Sequence, residues 1–307
     1  MLWRWLDKDC SGHSALRLLK AREYSAAANL MQQAPFETVL MRSCLNELSA
    51  SPRANLRSGS FLGYFDTSAS SSSCNSLGSE LRAVCWNGAN IIPWGFDSEG
   101  LDQLAYYLTH HSLAANSFVG AASQVLPLWD RVCKHFSPPR DVRPRQLSMV
   151  YQGKTSEIVT PDSNVRAAQL SEYELVLPAS ISMFIEEVGY DPAARGNTYS
   201  KRVRSLIERG FTFVKMGCDF RGSPRVEFKA DVGAYAGGVA QIQGVWVLPE
   251  LRGQGIAAPC MATVARTVQE KLRATVHLYV NDFNLPAVRT YEKAGFAHVG
   301  DYATIML

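Results

Sequence analysis

Val245-Trp-Val-Leu-Pro-Glu-Leu-Arg-Gly-Gln-Gly-Ile-Ala257 begins as a β-branched, aromatic run, breaks at Pro249, turns through Arg252 to Gly255 and enters a helical pattern. A strand that stops, a turn made mostly of backbone and a fresh helix N-terminus together form a place to hold phosphates. Successive N–H groups point outward there, and the helix dipole favours an anion. Glycines let the main chain approach that anion closely.

Three ligand classes use such a turn. A P-loop needs a Gly-Lys-Ser/Thr ending, and the chain has none. A dinucleotide fold needs GxGxxG/A, which Gly253 to Ala258 matches formally, with Asp282 as a mimic of the ribose-binding acid. There the glycines follow the strand directly, whereas here Pro249-Glu-Leu-Arg252 intervenes, and too little chain follows Asp282 for the remaining βα units. The third class is set by a second block, Val280-Asn-Asp-Phe-Asn-Leu-Pro-Ala-Val-Arg-Thr-Tyr-Glu-Lys-Ala-Gly-Phe296. Arg252, Gly255 and Ala257 fit R/Q-x-x-G-x-G/A, and the second block fits N-x-x-N-x-x-A-x-x-x-Y-x-x-x-G-F. In this order, separated by a helix and a strand, they resemble the GCN5-related N-acetyltransferases (GNAT). The resemblance covers about 155 to 307.

The flanking pattern agrees. Val165–Gln169 reads as a first strand, Glu172–Val188 and Tyr199–Glu208 as helices, with Gly210 at the C′ position of the second. Strands follow at Phe211–Lys215, Arg225–Asp231 and Val239–Leu248. Next come a helix over Ala257–Leu272, a strand at Val276–Val280, a helix over Pro286–Lys293 and a last strand at Ala303–Leu307. The first half repeats the scheme less clearly. A helix is predicted over 11–33, strands at Phe61–Phe65 and Leu81–Trp86 around a serine-rich loop at 68–73, and a strand at Asn90–Gly95. A helix over about 97–111, a strand at Ser117–Gly120, a helix over about 127–136 and a strand at Gln146–Tyr151 follow, with an irregular proline-rich stretch at 138–144. Ile92-Pro93 matches Leu248-Pro249, and Leu126-Pro127 matches Leu285-Pro286, which suggests a duplication. The expected fold is α/β (α+β): two tandem GNAT-like domains, 1–153 and 154–307, each a mixed, mostly antiparallel sheet flanked by helices.

The bulk properties fit such a chain. Its 307 residues suffice for about two domains. With 47% apolar and 19% charged residues, both halves can build cores. A net charge of +3 gives no argument for a nucleic-acid partner, and no apolar run is long enough to cross a membrane. The 7 cysteines are odd in number and form no CxxC pair. They read as reduced thiols in a cytoplasmic protein without a metal site, either a monomer or a homodimer.

The resemblance implies acetyl-CoA as cosubstrate and acetyl transfer to a primary amine on a small molecule or peptide. It implies that the backbone of Val245, Trp246 and Val247 pairs with the pantetheine arm and the thioester carbonyl where the strand splays from its neighbour. The amides of Arg252, Gly253, Gln254, Gly255, Ile256 and Ala257 would cradle the pyrophosphate. Asn281 and Asn284 would fix the last strand-to-helix turn and the pantetheine, although Asn284 is equally suited to cap the helix. Tyr291 falls at the position of the general acid that protonates the leaving thiolate; its bland alternative is packing against Phe296.

The general base is less legible. Relatives carry a carboxylate on the strand before the phosphate turn or on the one after it, where this chain has Gln241, Gln243 and Tyr279. Glu227, Asp231 and Glu250 remain, each equally at home as a surface charge. Deprotonating a lysine at pH 7 costs about 4.6 kcal/mol and an α-amine about 1 kcal/mol, so a site without a strong base suits a weakly basic acceptor. Tyr190, Arg195 and Tyr199 border the region where the family holds its acceptor. In the first half the turn would fall at Pro93–Gly100, where Asp97 and Glu99 repel phosphate, and the position of Tyr291 falls at Arg131 or Val132. That half is expected not to catalyse. It resembles the uncharacterised N-terminal domain of certain actinobacterial acetyltransferases, with landmarks at Gly88–Pro93, Phe118–Gly120 and Leu128-Trp129. The alternative for the whole chain is a catalytically inactive module that binds CoA or a protein partner.

Overall fold

The computed structural model of the protein describes residues 14–50, 59–66, 80–111, 115–153 and 159–307, so the serine-rich loop at 68–73 lies outside the described residues. The chain divides into two compact units, 1–147 with 300–307, and 148–299. A single boundary after 153 would keep all of 154–307 together. The C-terminal segment instead counts with unit 1 because it is a strand of that unit's sheet.

Unit 1 contains β1 (Ser14–Leu18), α1 (Tyr24–Met31), α2 (Pro35–Ala50), β2 (Gly59–Asp66), β3 (Glu80–Gly88), β4 (Asn90–Trp94), α3 (Ser98–His110), β5 (Ser117–Ala121) and α4 (Ala122–Val132). To these it adds the first part of β6 (Asp141–Tyr151) and the end of β12 (Phe296–Met306). Its strands lie in the order β1-β2-β3-β4-β5-β12-β6. β4 and β5 run parallel, while β1–β2, β2–β3, β3–β4 and β5–β12 are antiparallel. Tyr302 to Met306 pair with Ala121 to Ser117, and Ala303 and Ile305 are fully buried in the core with Phe118, Leu104 and Leu128.

Unit 2 contains β7 (Arg166–Ala167), α5 (Tyr173–Val188), α6 (Thr198–Glu208), β8 (Thr212–Cys218), β9 (Pro224–Ala236), β10 (Val239–Val247), α7 (Ala257–Leu272), β11 (Thr275–Asn281) and α8 (Leu285–Ala294). The order is β7-β8-β9-β10-β11, and the end of β6 follows β11. β10 and β11 are parallel; β7–β8, β8–β9 and β9–β10 are antiparallel. Trp246, Val214 and Val226 pack with Val176, Ala179, Val203 and Ile207 of α5 and α6. The order β-α-α-β-β-β-α-β-α-β thus occurs twice, and each sheet takes a strand end from the other half of the sequence.

A second repeated detail marks the start of each half. Arg17 and Glu23 form a two-pronged ion pair, and the Lys20 N–H donates to Glu23 at 2.8 Å. Arg166 and Glu172 do the same, with the Gln169 N–H on Glu172 at 2.8 Å. In both, the glutamate caps a short 3-10 turn that leads into a helix.

Several sequence-based expectations need correction. The helix predicted over 11–33 is a strand, a 3-10 turn and a helix, because Ser14 to Leu18 pair with Asp66 to Leu62; residues 11–13 lie outside the described residues. α2 was not anticipated, although its buried residues Thr38, Met41 and Leu45 fall three and four apart on one helix face. α4 begins at Ala122 rather than near 127, with Pro127 inside it, and β6 begins at Asp141 and runs through Pro144. The proline landmarks differ in setting too. Pro93 pairs within β4 and Pro249 opens a 3-10 turn, and Pro286 lies in the first turn of α8. Gly210, in contrast, has φ +67° and follows α6, with Phe211 N–H on Leu206 C=O.

Candidate active site

The site is built on β10, the turn after it, and α8. β10 pairs with β11 only over Val239–Gln241, opposite Thr275–His277. Beyond Gln241 no further pairing joins them, so the two strands part over Ile242–Val247. On the other edge of β10 the register with β9 shifts between Gln243 and Trp246. Gly244 and Val245 together face the single residue Ala230 at this bulge, and Gly244 has φ +59°, where a side chain is strained. Its space is also closed, since a Cβ there would meet Asp231 Oδ2 at 2.8 Å.

Pro249–Leu251 form a 3-10 turn, and the Arg252 N–H donates to Pro249 C=O at 3.2 Å. Among the described residues, no carbonyl accepts from the amides of Gly253, Gln254, Gly255 or Ile256. Gly253 and Gly255 have φ +76° and +80°, and nothing lies within 4 Å of where a Cβ would stand. Ile256 is the N-cap of α7 and has no side chain able to cap it. The turn is therefore an open cradle of exposed N–H donors at the start of a 16-residue helix, chemically fitted to a diphosphate. Arg252 turns inward: its Nε donates to Val247 C=O at 2.9 Å and its Nη2 binds Glu186 at 2.8 Å. Glu186 also accepts from Trp246 Nε1 at 3.2 Å, so one carboxylate of α5 ties both ends of the strand-to-turn segment.

Tyr291 is buried on α8, its ring edge-on to Phe296 at 6.1 Å. Burial first, and then the nearby Glu187 carboxylate, push its phenol well above the usual tyrosine range. It is therefore a neutral O–H donor at physiological pH. Asn284 caps α8, its Oδ1 accepting from Ala287 N–H at 3.3 Å, and its own N–H donates to Asn281 C=O at 3.0 Å. Asn281 is buried at the end of β11. Val245, Trp246 and Val247 lie on the bulge and its continuation, on the edge that has left β11.

The acidic residues considered as bases are engaged elsewhere. Glu227 packs its carboxylate over Gly217 on β8. Asp231 accepts from Thr212 at 2.9 Å and from Lys229 at 2.6 Å. Glu250 sits exposed on the 3-10 turn. Gln243 donates to Gln241 at 2.8 Å, and Gln241 bonds His277 at 3.3 Å, whose other ring nitrogen bonds Ser148 at 2.8 Å. Burial drives the His277 pKa down to about 3, so this relay is uncharged. Tyr199 bonds Ser180 C=O at 2.8 Å and stacks edge-on with Phe184, which also meets Tyr190. Sequence reasoning missed Glu186, Glu187, Lys229 and His277. The first two read as solvated helix charges, and the last two lie in strands where nothing but tertiary pairing marks them. Among the described residues, no group of three or more His, Cys, Asp or Glu is placed to hold a metal, and no helix is long and apolar enough to cross a membrane.

A parted parallel strand pair, a bulge at the parting and an open turn of N–H donors thus come together along β10 and the start of α7. Residues 220–296 match the Acetyltransferase (GNAT) family, so the chain carries a GNAT acetyltransferase domain. Residues 72–176 match a domain of unknown function, DUF4081. No curated protein sequence matches the chain. Among solved structures, a GCN5-related N-acetyltransferase from Sphaerobacter thermophilus aligns with 13% identity and a TM-score of 0.56, covering 95% of each chain. A GNAT-family acetyltransferase from Colwellia psychrerythraea aligns with 11% identity and a TM-score of 0.53, over 95% of this chain and 99% of that one. A tandem GNAT protein from the clavulanic acid biosynthesis pathway has 11% identity, a TM-score of 0.50, and 95% and 98% coverage. The fold is thus two tandem GNAT-like domains, each a mixed, mostly antiparallel sheet with helices. Family and fold together support acyl transfer as the activity.

Proposed function

We propose that the protein transfers an acetyl group from acetyl-CoA to a primary amine, in one direct step, at the parting of β10 and β11. The observation that carries this reading is the open turn Gly253–Ile256 at the start of α7, together with a buried, protonated Tyr291 on α8. Bound acetyl-CoA supplies an activated acyl group on a thiol leaving group. The amides of Gly253 to Ala257 hold its diphosphate, and the backbone of Val245 to Val247 aligns the pantetheine arm, with Asn281 and Asn284 fixing the turn below it. The amine nitrogen bonds to the acetyl carbon, the C–S bond breaks, nitrogen gives up a proton and sulfur takes one. Tyr291 donates to that sulfur. Its high proton affinity suits a thiolate whose own basicity rises in the same apolar surroundings. Glu187, whose charge reaches Tyr291, is the carboxylate assigned to take the proton from nitrogen. With no carboxylate at Gln241 or Gln243, the acceptor is expected to be weakly basic, an α-amine before a lysine side chain.

The test is acetyl-CoA turnover, read as free thiol, against free amino acids, polyamines, aminoglycosides, N-terminal peptides and lysine peptides. Tyr291→Phe is expected to lower kcat about 100-fold or more on the preferred acceptor while leaving CoA affinity unchanged. Wild-type protein that binds CoA but acetylates none of them supports the inactive-module alternative. Faster transfer to lysine side chains than to α-amines removes the weak-base argument.

A further inference from the structure

Lys229 is fully buried, an unusual setting for a lysine, and its Nζ has two acceptors. One is Asp231 Oδ2 at 2.6 Å and the other is the carbonyl of Gly244 at 3.0 Å. Asp231 is held in turn by the Thr212 hydroxyl at 2.9 Å. Gly244 is the left-handed residue of the bulge, and a Cβ on it would also stand 3.2 Å from the Lys229 Nζ. Bulge, glycine and ion pair are therefore interlocked. Stability alone does not call for this arrangement, because a buried ion pair replaced by apolar side chains of similar volume is often neutral or better.

The geometry points to Lys229 as a positioning residue for the Gly244–Val245 peptide, which it turns so that the Val245 N–H is the donor for the thioester carbonyl oxygen. The peptide is planar and trans, so its C=O and N–H point in opposite directions. Fixing the C=O on Lys229 aims the Val245 N–H away from the buried pair. A cation on the carbonyl also polarises the same peptide and strengthens its N–H as a donor. Charge develops on the carbonyl oxygen as the amine adds, and a donor already aimed there needs no reorganisation. The inference rests on the acetyl-transfer reading. It goes beyond it by naming the side chains that set the bulge.

The experiment compares CoA with S-acetonyl-CoA, a thioether that keeps a carbonyl but cannot transfer it. Both are titrated calorimetrically into the full chain and into Lys229→Met/Asp231→Asn, a pair that leaves no lone buried charge. Wild type is expected to prefer the ketone, and the double variant to lose that preference about tenfold while binding CoA within twofold of wild type. Its kcat/KM for acetyl-CoA should fall by a similar or larger factor. If both affinities fall together, or the ketone preference survives, Lys229 is not aiming the peptide, and normal CoA binding by wild type leaves the transferase reading standing. Wild type that binds neither ligand removes both. Should the variant fail to fold, the wild-type amide signal of Val245 decides. It should move downfield with S-acetonyl-CoA and not with CoA, and equal responses overturn the proposal.

Discussion

The turn after β4 and the turn after β10 stand at the same point of the same element order, and they differ in what fills them. In unit 2 the glycine turn is open and its amides are unclaimed by backbone carbonyls. In unit 1 the corresponding donors are already taken. Asp97 caps α3, its Oδ1 accepting from Gly100 N–H at 2.7 Å. Gln124 holds both the N–H and the C=O of Phe96, at 2.9 and 3.0 Å. Arg131, anchored on Asp102, reaches Ser98 at 2.9 Å. The strands differ in the same sense. β4 meets β3 without a register shift, where β10 bulges against β9, although the parallel pairing of β4 with β5 also ends early, after Asn90↔Ser117 and Ile91↔Phe118. Counted from the first residue of each helix, the fully buried Leu128 takes the place of Tyr291, rather than Arg131 or Val132, because α4 starts well before Pro127 whereas α8 starts one residue before Pro286. The lesson is that a turn of this kind is closed to an anion when its donors are satisfied internally. The negative charge of Asp97 is only part of the closure.

Four perturbations bear on this contrast, from the largest expected effect to the smallest. Unit 2 buries a histidine, whereas His110, His111 and His135 of unit 1 are exposed. His277 has a folded pKa of about 3 against 6.5 for the free group, so the unfolded state binds the proton first. Stability is full above pH 6.5 and falls as pH drops toward 3, by up to about 1.4 kcal/mol per pH unit. Hydrogen exchange of β10 and β11 amides, followed with pH, should show this slope. His277→Gln should flatten it, and an unchanged slope would assign acid lability to another group.

Closing the open turn is the next test. Ile256→Asp places a carboxylate at the N-cap of α7, as Asp97 does for α3. CoA affinity is expected to fall by about 2 kcal/mol, roughly 30-fold, while thermal stability rises slightly. Tight CoA binding by this variant, measured by calorimetry, would show that the diphosphate lies elsewhere. The reverse change, Asp97→Ala, should cost unit 1 about 1 kcal/mol of stability by denaturant titration. CoA stoichiometry should stay at one, because Gln124 still holds Phe96. A second CoA would mean that Asp97 alone closed the turn. The smallest effect concerns the repeated Arg–Glu clamp. Arg17 beside Glu23 pulls its carboxyl down to about 2, so the clamp contributes above the usual glutamate range and is lost as pH falls from about 4.5 to 2. Glu23→Gln should cost roughly 0.5–1 kcal/mol at pH 7, and its difference from wild type should vanish near pH 2.

Legibility in the sequence followed the source of each element's stability. α7 is visible because its apolar positions and its glycine turn are local signals, and the structure has the helix over the same Ala257–Leu272. Tyr291, Asn284 and Phe296 were readable as a spaced pattern. β1 was misread because Leu16, Leu18 and Leu19 suit either period, and pairing with β2 decided the matter. The strand exchange left no local trace, since β6 and β12 read as ordinary last strands wherever they pair. Lys229 and Asp231 sit two apart in a strand and read as solvent-facing charges. Only Thr212 and the Gly244 carbonyl, brought in from β8 and β10, turn them into a buried pair.

The placement of Gly300–Leu307 in the sheet of unit 1 also sets an order of events during synthesis. β5 of unit 1 is made early, but the strand that covers its edge comes more than half the chain later. At ribosomal rates of about 5–20 residues per second, that edge waits roughly 10–40 s. Through that interval Phe118 and Val119 belong to an unpaired strand edge, the kind that recruits other chains. Unit 2, whose borrowed strand β6 precedes it, meets no such delay. The unit whose turn is closed by its own side chains is therefore also the one whose folding must wait, and a chaperone holding the nascent chain would be expected to sit on β5.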